Sequence, residues 1–479
     1  MAERLRPQDV AFLSLESRCT PMHVGALETF QPRPGGFDYD SLVALLADRI
    51  SHVPRYRQVV RTVPGRIANP VWVDDDDFDL TYHVRRSALP LPGSMEQLRD
   101  LVARIISRRL DRDRPLWEVY LVEGLSEGRF AVVSKTHQAL VDGTSTLDLG
   151  QLILDDSADD PCLPTDVWSP VTMPTSTALA VDAVVDSVLH PGKIVDTWRS
   201  GLLDARQTAG RLRGALSSAA FVLGTARQVS ESPLSAKLSQ QRRFVPVATR
   251  LDDYRAVRAA HGGTVNDVVM TVVAGALRSW LLTRGEPVHS STHVLALVPM
   301  SVIDDGAGPT ALGSRVHAFF LNLPVGEPNP VVRLHQVSYA LKPHRETGRA
   351  VGASRLAAIS GFAPTTFHAL GARVAASHPG RSHDLVITNV PGPQFPLYAA
   401  GARMLESYPI VPLVQDRVLS VGVSSYNGGV FFGLNADRDA MSDVGVLAVC
   451  LTEALEELVG TLSDRRASAP SGRSAGKRT

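Results

Sequence analysis

The stretch Phe130-Ala-Val-Val-Ser-Lys-Thr-His-Gln-Ala-Leu-Val-Asp-Gly143 decides how the rest of the chain is read. Its first part, Phe130 to Lys135, is a short, mostly apolar run, which predicts a buried strand. Thr144 to Leu154 predicts a helix that starts directly after Gly143. His137, Gln138, Asp142 and Gly143 therefore fall where a strand turns into a helix. Adjacent side chains of a strand face opposite ways, so His137 and Gln138 are expected on opposite sides unless a bulge re-aims one. His137 has two readings, a general base or a histidine hydrogen-bonded inside the domain. Asp142 reads as an ion-pair partner that holds the turn more than as an acid or base. Gly143 reads as the residue that lets the backbone enter the helix. Taken alone, His-x-x-x-x-Asp-Gly is a weak pattern.

Working outward, residues 1–160 alternate strand-like and helix-like patterns. Ser41 to Ile50 predicts a helix with Leu42, Leu45, Leu46 and Ile50 on one side, and Gln97 to Leu110 predicts another. Trp117 to Val122 predicts a second buried strand. Residues 161–240 read as a helical connector. A loop rich in Asp, Pro and Thr leads into it from Ser157, and 178–229 is a long helical stretch interrupted by Pro191-Gly192. Its apolar side either packs on the protein or touches lipid. Residues 241–464 read as a second α/β domain. Helices are expected at Val265 to Leu282 and Ser442 to Leu462. Strands are expected at 294–298, 319–323, 385–388, 418–424 and 429–434, with Asn427-Gly428 as a hairpin signal. Residues 465–479 read as a disordered basic tail, with anionic lipid as its alternative use.

A chain of 479 residues with 44% hydrophobic and 20% charged content has the material for two sizeable cores. Formal net charge is zero, which argues against nucleic acid as a partner. Three cysteines, Cys19, Cys162 and Cys450, lack metal or redox spacing and suggest a reducing compartment. The N-terminus shows no apolar signal core, and no uninterrupted apolar run reaches the length of a membrane span. A cytoplasmic protein is expected. No Gly-x-Ser-x-Gly elbow, Walker A loop, His-Glu-x-x-His or Cys-x-x-Cys occurs. The acidic run Asp74 to Asp77 reads as a solvated loop, not a metal site.

Several segments together carry a resemblance. They are Phe12-Leu-Ser-Leu-Glu16, Pro21-Met-His-Val-Gly25, Leu110-Asp-Arg-Asp-Arg-Pro-Leu-Trp-Glu118, Lys135 to Gly143, Thr264-Val-Asn-Asp-Val268, Thr388-Asn-Val-Pro-Gly-Pro393 and Ser425-Tyr-Asn-Gly-Gly429 with Phe432 to Arg438. Over nearly its whole length, the tail excluded, the chain resembles the bacterial wax ester synthase/diacylglycerol acyltransferase family, within the chloramphenicol acetyltransferase-like superfamily. That family carries His-His-x-x-x-Asp-Gly, whose second His is the general base. Here Gln138 stands at that position. Ser314 departs from the family's usual Gly-Asn-Arg.

The resemblance implies an α/β fold of two chloramphenicol-acetyltransferase-like domains, each a mixed sheet with helices, with a channel between them. It implies acyl-CoA as donor, diacylglycerol or a long-chain alcohol as acceptor, no cofactor and no metal. It gives Asp142 and Gly143 supporting roles and places Glu16 and Asn266 near the channel. Their plain alternatives are a surface carboxylate and a helix N-cap. An amide cannot accept a proton at neutral pH, and losing a general base costs roughly 10²–10⁴ in rate. Three readings follow: an acyl-CoA-dependent O-acyltransferase, a weakened homologue that binds acyl-CoA or lipid, or an acyltransferase with another acceptor such as a polyketide, sugar or amine. Peripheral contact with a membrane or lipid droplet is expected of an enzyme with such an acceptor.

Overall fold

A computed structural model describes residues 3–66, 68–141, 149–158, 232–302, 315–346, 368, 372 and 383–468. Asp142, Gly143, Ser314, the start of the helix expected after Gly143, the stretch 178–229 and positions 469–479 lie outside the described residues.

The first half contains β1 (Glu3–Arg4), α1 (Pro7–Leu15), β2 (His23–Gln31), α2 (Tyr39–Ser51), β3 (Gln58–Arg61), β4 (Val71–Asp74), α3 (Leu80–His83), β5 (Val84–Ala88), α4 (Met95–Ser107), β6 (Trp117–Glu123), β7 (Phe130–His137) and α5 (Leu149–Ile153). Local sequence explains the longer helices. Asp38 caps α2 by accepting from the Ser41 N–H, and Leu42, Leu45, Leu46 and Ile50 are its buried face, as their spacing predicts. Ser94 and Gln97 close a capping box at the start of α4, which buries Leu98, Val102, Ile105 and Ile106. The predicted helix over 97–110 ends at Ser107, because Arg108 is extended.

The second half contains β8 (Arg242–Arg250), α6 (Leu251–His261), α7 (Val265–Thr283), β9 (Val294–Val302), β10 (Arg315–Leu323), α8 (Pro330–Glu346), β11 (Leu385–Pro391), β12 (Tyr398–Ala399), β13 (Ala402–Ile410), β14 (Leu419–Tyr426), β15 (Gly429–Asp437) and α9 (Val444–Ser468). Helix α7 is long and apolar enough to cross a membrane, yet 72% of its apolar window is buried within the protein, so it is a core helix. The last helix runs to Ser468 and takes in the first residues of the expected disordered tail. Asp464-Arg-Arg-Ala467 holds no helix breaker, so propensity carries α9 onward.

Two six-stranded mixed sheets result, ordered β12-β13-β2-β7-β6-β5 and β10-β9-β11-β14-β15-β8. Strands β12 and β13 come from the second half of the chain but complete the first sheet. β13 runs antiparallel to β2, with Tyr408 opposite Leu27 and Ile410 opposite Gly25. A division of the chain at residue 160 does not anticipate this crossing, because antiparallel pairing over such a separation leaves no local trace.

The same strand joins the sheets. Pro409 of β13 sits against Gly422 of β14 and Gly433 of β15, and a Cβ at Gly433 would come within 1.9 Å of the Pro409 carbonyl oxygen. Only glycine permits that approach. Ser420 Oγ and Asn435 Nδ2 both donate to the Val411 carbonyl, at 2.7 and 2.8 Å. At the start of β8, Arg242 donates its N–H to Ser107 Oγ at 2.9 Å and its guanidinium to the Cys19 carbonyl. Asp437 pairs with that guanidinium at 3.3 Å.

Candidate active site

Every residue of β7 is buried, and β7 lies between β2 and β6. Register fixes which side chains share a face: His137 lies opposite His23, and Lys135 opposite Glu118. Contacts show that this face packs on α4. His23 Nε2 is 2.9 Å from the Ile106 carbonyl, and Lys135 Nζ donates to the Arg108 carbonyl at 3.0 Å. His137 is thus on the helix-covered face, as strand alternation predicts, and needs no bulge.

The His137 ring is held in place. The Ala139 N–H donates to Nδ1 at 3.0 Å, and Nε2 lies 3.8 Å from Glu16 Oε1. A neutral ring that accepts at Nδ1 carries its proton on Nε2. Its one basic lone pair is therefore engaged by the backbone in this geometry. The 3.8 Å separation suits electrostatic attraction but exceeds hydrogen-bond reach.

Glu16 follows α1 and is only 1% exposed at its side chain, so the surface-carboxylate reading is corrected. Burial is tolerable because Arg112 forks onto Oε2, through Nε at 3.0 Å and Nη2 at 2.7 Å. The other oxygen accepts from the Met22 N–H at 3.3 Å. The Met22 carbonyl in turn accepts from the Gln138 N–H at 2.9 Å. The loop from Glu16 to Met22 therefore ties Arg112 and Glu16 to the backbone of Gln138.

Gln138 follows the last residue of β7 and is 1% exposed. Its Oε1 and Nε2 have no hydrogen-bond partner among the described residues. A buried primary amide with donor and acceptor both unpaired costs roughly 1–3 kcal/mol per group. Such residues concentrate where a structure has a use for them.

Behind His137 runs a buried ionic network. Lys135 Nζ is 2.8 Å from Glu118 Oε2, which also accepts from the Tyr120 hydroxyl at 2.9 Å, while Arg85 reaches Glu118 Oε1 at 3.1 Å. Burial pulls the Lys135 ammonium below its usual range, against the pull of Glu118. His23 is pushed well below the usual histidine value, chiefly by burial and then by the Lys135 charge. The face beneath the signature therefore holds a neutral histidine beside a compensated cation.

The Pro-Leu-Trp segment serves packing. Trp117 is fully buried, donates Nε1–H to the Tyr56 carbonyl at 2.7 Å and stacks on His83 with centroids 4.6 Å apart. Of the acidic run, Asp75 is buried and lies 3.8 Å from Arg114, so a wholly solvated loop is corrected there. Among the described residues no cluster of three or more metal-ligating side chains occurs.

Asn266 is drawn elsewhere. Thr264 and Asp267 form the capping box of α7, so Thr264 is the N-cap and Asn266 is left free of that duty. Its Oδ1 accepts from Asn389 Nδ2 at 2.8 Å, joining the Asn-Asp and Asn-Val-Pro-Gly segments. Next to Asn389, Thr388 Oγ1 lies 2.5 Å from Nδ1 of His368, a fully buried ring. Burial lowers the His368 pKa to about 3. Among the site residues, the structure brings Glu16, His137 and Gln138 together and pairs Asn266 with Asn389. Sequence reasoning had not singled out Arg112, Lys135, Asn389 or His368. The first three fall inside segments quoted above, whereas nothing around His368 marks it.

The wax ester synthase/diacylglycerol acyltransferase catalytic domain profile matches residues 5–269, and the family's C-terminal domain matches 312–459. The chain is 43% identical over 266 residues to the probable diacylglycerol O-acyltransferase Tgs3 of Mycobacterium tuberculosis, a match covering 54% of this chain and 97% of the relative. It is 32% identical to the probable diacylglycerol O-acyltransferase Tgs1 of the same organism, over 96% of each chain. Among solved structures, the wax ester synthase/diacylglycerol acyltransferase from Marinobacter aquaeolei VT8 superposes with a TM-score of 0.65 at 28% identity, covering 96% of this chain and all of that one. The starter condensation domain of rhizomide synthetase shares the fold, with a TM-score of 0.52 at 11% identity. Motifs, paired sheets and whole-length similarity converge, and the chain belongs to the wax ester synthase/diacylglycerol acyltransferase family.

Proposed function

We propose that this protein transfers the acyl group of an acyl-CoA to the hydroxyl of diacylglycerol or a long-chain alcohol, making triacylglycerol or wax ester. The observation that carries the reading is the family match over the whole chain; at the position where the family is expected to hold its base stands a buried Gln138 whose amide has both its donor and its acceptor unpaired among the described residues. The reaction forms the ester C–O bond, breaks the thioester C–S bond and delivers the hydroxyl proton to the departing thiolate. Gln138 Oε1 is suited to accept from the attacking hydroxyl and orient it, and Nε2–H to donate to developing negative charge. The amide keeps no proton, so positioning and polarisation are its contribution. His137 holds the turn, and Glu16 fixes the loop on which Gln138 leans.

The test is thiol release from acyl-CoA with and without diacylglycerol or a long-chain alcohol, with ester quantified in parallel. Acceptor-dependent release with matching ester supports the reading. Binding of acyl-CoA without turnover of either acceptor favours the weakened homologue, which the amide at Gln138 motivates.

The protein is further proposed to be cytoplasmic and to meet its acceptor at a membrane or lipid-droplet surface. The support is chemical: diacylglycerol and long-chain alcohols reside in lipid. Flotation with liposomes containing diacylglycerol tests it, and a pool that stays wholly in the soluble fraction counts against it.

A further inference from the structure

A cavity lies on the α4 side of the first sheet. It encloses about 500 Å³ and is lined by Tyr82, Arg85, Arg108, Arg109, Arg112 and Tyr120, with Leu110 as its aliphatic member. A wall so polar is unsuited to an acyl chain. Carboxylates also line it, and each is already engaged. Glu118 is held by Lys135, Arg85 and Tyr120, Asp111 accepts from the Asp113 N–H at 3.0 Å, and Asp113 lies 3.6 Å from Arg61. Two of the arginines are likewise committed, Arg85 to Glu118 and Arg112 to Glu16. Arg108 and Arg109 are exposed and make no side-chain hydrogen bond or ion pair among the described residues. With four arginines against three carboxylates the cavity, of ligand size, keeps a net positive charge, and the adjacent, exposed Arg108 and Arg109 carry it.

We propose that this cavity binds a phosphate-bearing ligand through Arg108 and Arg109. Guanidinium groups match phosphate oxygens with paired N–H donors. The Arg85 guanidinium lies over the rings of Tyr82 and Tyr120, at 4.9 and 5.8 Å, which fixes that wall of the cavity. Arg112 belongs to both this cavity and the Glu16 clamp, so occupancy is felt 3.8 Å from His137 through one carboxylate. The phosphate has two sources, the phosphates of coenzyme A or a separate phosphorylated molecule. The first rests on the acyl-transfer reading and the second does not.

The test is calorimetric titration of the full chain and of an R108A/R109A variant with inorganic phosphate and with coenzyme A at low salt. Both arginines are exposed, so the variant is expected to melt as wild type does. Wild type should bind inorganic phosphate at one saturable site, and the variant should bind it at least about tenfold more weakly. Weakening of coenzyme A alongside phosphate assigns the site to coenzyme A. Weakening of phosphate alone assigns it to another phosphorylated molecule. No saturable phosphate binding by wild type, or equal binding by a folded variant, overturns the proposal. Binding is read without turnover, so an inactive enzyme does not decide the question.

Discussion

The Ala139 backbone N–H donates to His137 Nδ1 at 3.0 Å, which turns the signature's histidine into a turn-fixing residue. In this geometry the basic lone pair of the neutral ring is engaged by the backbone.

Restoring the imidazole should restore the rate. Gln138→His is expected to raise ester formation at saturating acyl-CoA by at least roughly tenfold, a figure below what a general base usually supplies. The measurement is ester formed per folded enzyme. A well-folded Gln138→His no faster than wild type would mean that the amide is not what limits turnover.

His137→Ala should act through stability. It removes the acceptor of a buried N–H and a buried ring, so a loss of about 1–3 kcal/mol is expected. Denaturant titration reads this directly. Activity per folded molecule should change little, in wild type and in the Gln138→His background alike. Abolition of a robust wild-type rate with stability unchanged would instead make His137 the base.

Glu16 offers a separable test. Glu16→Gln keeps an acceptor for the Met22 N–H but removes the charge that pairs with Arg112. Glu16→Ala removes both and should be the less stable by about 1 kcal/mol or more, the scale of a lost hydrogen bond. If both variants melt together, the clamp from Arg112 to Met22 contributes little.

Acid should weaken the fold through buried histidines. His83 is lowered to about 4, chiefly by burial, and His23 lies well below the usual value. Below about pH 6.5 the unfolded chain takes up protons that the native rings refuse, so stability is greatest above that pH and falls toward pH 4. For His83 the full span amounts to about 3 kcal/mol, at 1.36 kcal/mol per pKa unit. His83→Phe keeps a ring against Trp117 and should flatten the fall between pH 6.5 and 4. An unchanged slope would show that His83 is not among the groups responsible.

Much of this was legible because the signals are local. The alternation through Phe130 to His137 set the facing of His137, and the spacing of Leu42, Leu45, Leu46 and Ile50 set the buried side of α2. The Asn427-Gly428 turn is likewise short-range. What stayed hidden depends on partners far away in sequence. Glu16 reads as a surface acid until Arg112 folds over it, and Asn266 as a cap until Asn389 arrives from another strand. His368 has no pattern around it and acquires meaning only against Thr388.

The placement of β13 beside β2 bears on how the protein can be made. While a ribosome has released only the first half, β2 has β7 on one side and open backbone donors and acceptors on the other. Its residues from His23 to Phe30 are all buried in the finished protein, so the nascent edge is apolar and adhesive. Its natural partner is synthesised last but for β14, β15 and the final helix. Truncation anywhere before Ala402 should therefore yield aggregates, not a working half-enzyme. Supplying the missing half as a separate chain should rescue solubility by strand complementation.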